Sequence, residues 1–179
     1  MIQAKKLRDL NDSDRRLIVS ARDVSMNAYA PYSGFAVGAA VRTKSGEIFT
    51  GANLENASYG VGMCAEVAAI TSANSSGDYN IEAIAVVGHK FTDPGDASQI
   101  VTPCGRCRQL IFEASQVAQT DIKIFSCSGD LELIHEAAVS EMLPEAFGPK
   151  NLGLEKVWPR MRDKLIRCVK ELQDQTAGS

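Results

Sequence analysis

Residues 63–89 read MCAEVAAITSANSSGDYNIEAIAVVGH, and the order of patterns within them decides the fold class. From Cys64 to about Ser75 the run is alanine-rich and helical, and it stops at the breaker NSSGD, residues 74–78. IEAIAVVGH, residues 81–89, then forms a short, near-continuous apolar run of the kind buried on both faces of a sheet. A helix followed by a doubly buried strand predicts α/β layering.

The flanking segments extend the same scheme. Asn11, Asp12 and Ser13 are candidate caps for a helix over 12–30, which carries Leu17, Ile18, Ala21, Val24 and Ala28 at helical spacing and ends before Pro31. FAVGAAVRT and EIFTGAN flank KSG, which predicts two strands joined by a tight turn. TDPGDASQ, residues 92–99, reads as a polar loop, 105–118 as a helix, and IKIFSC and LELIH as two more strands. The sum is about five strands with helices on both faces. Residues 154–174 carry an apolar stripe at helical spacing, with Pro159 suited to an early helical position, so a terminal helix begins near it. The organisation expected is one domain over 1–152 and a helical extension over 153–179.

Composition narrows the function classes. A chain of 179 residues with 45% apolar and 23% charged residues is an ordinary globular protein. Its net charge of −3, with scattered Lys and Arg, lacks the basic stripe that a nucleic-acid partner needs. MIQAKKLRDL has no apolar core of a secretion signal, and no segment approaches a bilayer span, so a cytoplasmic protein with no membrane partner is expected.

Five cysteines are an odd number, and Cys64, Cys104 and Cys107 fall in two tight contexts, which favours thiolate or metal chemistry over a disulfide framework. Cys127 and Cys168 lie on apolar patterns and read as packing residues. TPCGRCRQ, residues 102–109, holds a C-x2-C pair at the head of a helical run, where both sulfurs can face one ion and the helix end favours thiolates. Redox motifs share that spacing. Zinc takes four tetrahedral ligands, and a catalytic site leaves one for water, so Cys64 is the candidate third protein ligand. Cys64 and Glu66 can face the same ion only if Cys64 caps its helix from outside regular geometry. Glu66 would then stand beside the water as a proton carrier. Cys64-Ala65-Glu66 followed by Pro103-Cys104-Gly105-Arg106-Cys107 matches the zinc-deaminase pattern of His or Cys, any residue, Glu, then P-C-x-x-C.

Together with PYSGFAVGAA, GANLENASYG, CAEVAAI, PCGRCRQ and EMLPEAFGP, in this order, these motifs resemble the small, three-cysteine cytidine deaminases. The resemblance implies a three-layer α/β sandwich with a mixed five-stranded sheet between helices, one zinc ion per subunit, and a homotetramer acting on a small nucleoside. It implies hydrolytic deamination of cytidine and deoxycytidine to uridine and deoxyuridine, with Glu66 catalytic. Phe35 would pack against the pyrimidine, Asn53 and Glu55 would hold a ribose hydroxyl, and the Ala65 carbonyl would meet the exocyclic amine. Ala57, Tyr59 and Phe147 resemble positions that reach a neighbouring subunit's site.

The chain departs from the family after the catalytic Glu, where Val67 replaces the usual Arg. Three thiolates on a dication leave a net negative charge that opposes acidifying bound water, so a nearby cation is valuable. Arg106, between the two zinc cysteines, is the candidate, and blasticidin-S deaminase resembles this chain at both points. A deaminase of a modified or antibiotic cytosine nucleoside is therefore the alternative reading, and a non-catalytic structural-zinc protein is the reading from another class.

Overall fold

The computed structural model describes residues 2–91 and 97–177, with side chains as far as Thr176. Thr92 to Asp96, most of the expected polar loop, lie outside the described residues. The chain divides into two compact units, one up to Ala146 and one from Phe147 onward.

The first unit is a six-stranded mixed sheet built from β1 (Gln3–Lys5), β2 (Phe35–Thr43), β3 (Ile48–Ala52), β4 (Ile81–Lys90), β5 (Lys123–Ser128) and β6 (Ile134–Ala138). Their order across the sheet is β1-β6-β5-β4-β2-β3, with only β4 and β5 parallel neighbours. The sixth strand is a correction to the expected five. β1 has three residues, two of them polar, and is an edge strand paired only with β6, so it has no apolar periodicity to read. The last strand also begins later than LELIH suggests, because residues 129–133 form the turn between β5 and β6. Leu131 has a positive φ of 60°, and the Ser128 hydroxyl accepts from the Leu133 N–H at 3.0 Å.

Helix α1 (Asp12–Val24) is shorter than the 12–30 expectation. Asn11 caps it by accepting from the Asp14 N–H at 2.8 Å. After Val24 the chain tightens into a 3-10 turn over Ser25–Asn27, with the Ser25 hydroxyl donating to the Arg22 carbonyl at 2.6 Å. Leu17, Ile18 and Ala21 of α1 pack on Ala40, Ala85, Val87, Phe125 and Cys127, on one face of the sheet. Helices α2 (Ala65–Ser75) and α3 (Gly105–Ala118) cover the opposite face, where Ala69, Ile70, Ile111 and Ala114 meet Ala39, Val41, Ile84, Val86 and Ile124. The one-residue alternation of sheet residues between the two cores is the period-two signature of strands.

This topology positions the site. β3 and β4 both run antiparallel to β2, so they run parallel to each other, and each leads toward a helix on the same face. The N-termini of α2 and α3 therefore open at the same end of the sheet, the carboxyl end of those strands, where α/β sheets bind ligands. The alanines of α2 let it lie close on β3. A Cβ built on Gly51 would stand 2.6 Å from Ala68 Cβ and 2.7 Å from the Ala65 carbonyl oxygen, so only glycine fits under this helix.

At the far end of α1, Asp14 is buried and receives Arg42 Nη1 at 2.8 Å and Lys123 Nζ at 3.4 Å, while Arg42 Nε donates to Glu82 at 2.5 Å. The second unit contains 3-10 turns over Pro149–Leu152 and Leu154–Lys156, a short helix α4 (Val139–Met142) having closed the first unit, and then α5 (Trp158–Ala177). Cys127 is buried in β5 as expected, but Cys168 is exposed, because the described residues of α5 are exposed along its whole length. No described helix is long and apolar enough to cross a membrane.

Candidate active site

Cys64 is the N-cap of α2, with φ −72° and ψ 151°, so its backbone lies outside helical geometry while its carbonyl accepts the first helical bond from Ala68. That extended cap is the condition under which Cys64 and Glu66 can face one point despite standing two apart. Cys104 is the N-cap of α3 in the same way, with φ −67° and ψ 169°, and Cys107 lies in the first turn. Their three Sγ atoms lie within 4.8 Å of one another. Sulfurs each about 2.3 Å from one tetrahedral ion stand a little under about 4 Å apart, so this spacing fits zinc.

The electrostatics point to a cation as well. Burial pushes the Cys64 and Cys107 thiols up, with neighbouring charge adding to the effect, so neither ionises readily alone. Cys104 is held below the usual thiol range: burial opposes this, but the Cys107 backbone N–H and the Cys107 and Cys64 thiols donate to its sulfur. Two helix N-termini add positive potential, and a dication is what lets three such thiols ionise together. All five cysteines are free.

Glu66, in the first turn of α2, is 4% exposed. Burial pushes its carboxyl up, opposed by hydrogen bonds from its own backbone N–H and from Cys107. A dry carboxyl beside the thiol cluster is suited to holding and releasing a proton.

A pocket of about 680 Å³ opens over this cluster and is lined by Cys64, Ala65, Glu66, Cys104 and Arg106, and also by Asn53, Glu55 and Tyr59. Asn53, just beyond β3, accepts from the Val37 N–H at 2.9 Å and donates to the Phe35 carbonyl at 3.0 Å, so its amide is locked across the start of β2. Glu55 accepts from the Tyr32 and Ser33 N–H groups at 2.9 and 3.2 Å, and its carboxyl is held below the usual range by hydrogen bonds led by that from the Ser33 hydroxyl. One oxygen thus ties the 30–34 loop to the pocket floor.

Phe35 is not among the residues that line the pocket. Its ring packs over Gly88 beside Val101, where a Gly88 Cβ would stand 2.8 Å from it, and Val101 forms the wall in front. Ala57 is exposed on the loop held by the Leu54 and Met63 backbone pair, and Tyr59 stacks edge-on against Tyr32 with centroids 6.0 Å apart. Phe147 belongs to the second unit and is exposed. Arg106 is exposed at the pocket, whereas Arg108 is spent on structure, donating to the Pro103 carbonyl at 2.8 Å and so fixing the approach to Cys104. The wall residues Tyr32, Val101 and Thr102 were not singled out by their sequence context. Only the place of Thr102 beside Pro103-Cys104 hints at its role.

A sheet that aims two helix ends at three thiols and one dry glutamate defines a zinc-dependent deaminase of the cysteine-ligated class. Residues 11–121 match the family described as the cytidine and deoxycytidylate deaminase zinc-binding region. With that match, and with curated relatives similar over nearly their whole length, the chain belongs to this family. It is 41% identical over 141 residues to the cytidine deaminase of Halalkalibacterium halodurans, covering 78% of this chain and 98% of that one. It is 45% identical over 78 residues to the blasticidin-S deaminase of Bacillus cereus, covering 43% of this chain and 56% of that one. The crystal structure of the cytidine deaminase from Burkholderia pseudomallei is 35% identical and superposes with a TM-score of 0.65 over 77% of this chain and 100% of that one.

Proposed function

We propose that the protein catalyses hydrolytic deamination of cytidine and deoxycytidine to uridine and deoxyuridine, releasing ammonia. The observation that carries this reading is the cluster of Cys64, Cys104 and Cys107, whose first two members line, with buried Glu66, a pocket that also holds Asn53 and Glu55. The three cysteines would hold one zinc ion per subunit, which supplies the positive charge that makes water ionise near neutral pH. Glu66 takes the proton from the attacking water and gives it to N3 of the cytosine ring as C4 becomes tetrahedral. The same carboxylate then takes the proton of the new C4 hydroxyl and delivers it to the exocyclic amine, which leaves as ammonia as the C4–N bond breaks and the C4 carbonyl forms. By the family resemblance, the Ala65 carbonyl is assigned to accept from that amine, and Asn53 and Glu55 to hold the ribose.

The family resemblance supports further assignments. Phe35 is assigned to pack against the pyrimidine, a role that requires its ring, which lies at Gly88 beside Val101, to reach the pocket once substrate is bound. Ala57, Tyr59 and Phe147 are assigned to a neighbouring subunit's site in a homotetramer, and exposure of all three is consistent with this. Arg106 is assigned to offset the third thiolate in place of the Arg replaced by Val67. The free cysteines and absence of a membrane-spanning helix among the described residues support a cytoplasmic setting.

One observation favours a second substrate. The blasticidin-S deaminase match, together with Val67 and Arg106, fits a modified cytosine nucleoside. A structural-zinc role is disfavoured, since structural sites are closed by four protein ligands and the cluster has three among the described residues. The test is loss of cytosine-nucleoside absorbance with ammonia release by the zinc-loaded protein, across cytidine, deoxycytidine and blasticidin S. The expected result is turnover of cytidine and deoxycytidine ahead of blasticidin S. The reverse order replaces the substrate, and no turnover of any of them overturns the reading.

A further inference from the structure

Helix α5 runs 20 residues, from Trp158 to Ala177, in the unit that begins at Phe147. Trp158, Met161, Leu165, Cys168, Leu172 and Gln175 succeed one another at alternating steps of three and four, which is the a and d spacing of a heptad seam. The stripe is not buried: Trp158, Met161, Leu165 and Leu172 are 44%, 55%, 56% and 55% exposed. Most helical stability in proteins comes from packing of an apolar face, and a continuous exposed stripe of this kind marks an interaction face.

The flanking charges identify the occupant. In the heptad, the two g positions within the helix are Lys164 and Glu171, of opposite sign, while the matching e positions include Val169 and Thr176. A parallel pair sets g against e, so Lys164 would meet Val169 and Glu171 would meet Thr176, with no charge matched. An antiparallel pair sets g against g, so Lys164 meets Glu171 of the second copy, and two-fold symmetry repeats the pair. The same register stacks Leu165 on Cys168, Met161 on Leu172, and Trp158 on Gln175, where the indole N–H faces an amide able to accept it.

We infer that α5 pairs with α5 of a second copy of this chain as an antiparallel two-helix coiled coil in that register. Lys164 and Glu171 lie about 10.5 Å apart along their own helix, beyond the i,i+4 reach, so they contribute to each other only across copies.

Leu165→Cys in the zinc-loaded full chain tests the register, because it sets a thiol opposite native Cys168 of the other copy. Oxidation by oxidised glutathione is expected to give a covalent dimer whose tryptic map joins peptides 165–167 and 168–170. The same residue change placed on the polar face, Arg167→Cys, is expected to give little. Adding Lys164→Glu to the Leu165→Cys chain should slow dimer formation roughly tenfold, since both symmetric pairs become repulsive. Adding Glu171→Lys as well should restore it. Dimers joined only through Cys168 to Cys168, equal cross-linking from Arg167→Cys, or a charge swap without rescue each overturn the inference.

Discussion

Gly51→Ala tests how the site is held. The added methyl would stand 2.6 Å from Ala68 Cβ and 2.7 Å from the Ala65 carbonyl, with the Ala69 backbone nitrogen closer still. An ordinary carbon contact is about 3.5 Å, so α2 has to retreat by about 0.9 Å. Gly51 lies in a regular strand, and replacing it stiffens the unfolded chain, a gain of about 0.4–1 kcal/mol. Overpacking costs about 1–3 kcal/mol and wins, leaving a net loss of about 1–2 kcal/mol, or roughly 2–8 °C in Tm for a chain of this size. The first turn of α2 carries Cys64 and Glu66, so the shift reaches the chemistry, where a displacement of about 1 Å costs about 10²-fold in rate. Thermal denaturation and kcat for cytidine, measured at full zinc content, report both effects. A variant with unchanged Tm and kcat would refute close packing of α2 on β3 as the device that sets Glu66.

Asp14→Asn should cost about 3 kcal/mol in chemical denaturation, because Arg42 and Lys123 lose a buried partner and Glu82 compensates only in part. The hydrogen bonds and charges of Arg42 and Lys123 hold Asp14 below the ordinary carboxyl range against burial. Its contribution is therefore complete above the unfolded value of about 3.9 and is lost as pH falls through the folded value. The stability gap between wild type and Asp14→Asn should close in acid, and a gap independent of pH between 2 and 7 would contradict this assignment. Glu55→Gln keeps the shape but weakens the charge-assisted bonds to Tyr32 and Ser33, so KM should rise about tenfold with a smaller change in kcat in steady-state assays. Chelation should remove activity and lower Tm together, with zinc restoring both, since binding stabilises the fold that presents the three thiols.

Much of the site is legible along the chain because its ligands are set by local geometry. Cys64 and Cys104 each precede a helical run, so their capping role, and with it the ability of Glu66 to face the same point, follows from position. Asp14 shows the opposite case. It reads as an ordinary first-turn acid, and only the sheet brings Arg42 and Lys123 to it from positions 28 and 109 residues away. Phe35 reads as a pocket aromatic from its motif, while the space left by Gly88, which lets its ring sit beside Val101, has no local sequence signal. Strand periodicity locates the central strands, whereas β1, short and polar at the edge, has none to show. The stripe on α5 is plain in sequence, and the structure adds that the helix exposes it.

Glu66→Gln is the most direct test of the central claim, because it removes the proton carrier while leaving all three sulfurs and the shape of the pocket in place. Zinc content and cytidine turnover are measured on the same preparation. The account predicts one zinc per chain, as in wild type, with turnover reduced by at least about 10²-fold. Turnover near the wild-type rate with zinc fully bound would contradict it.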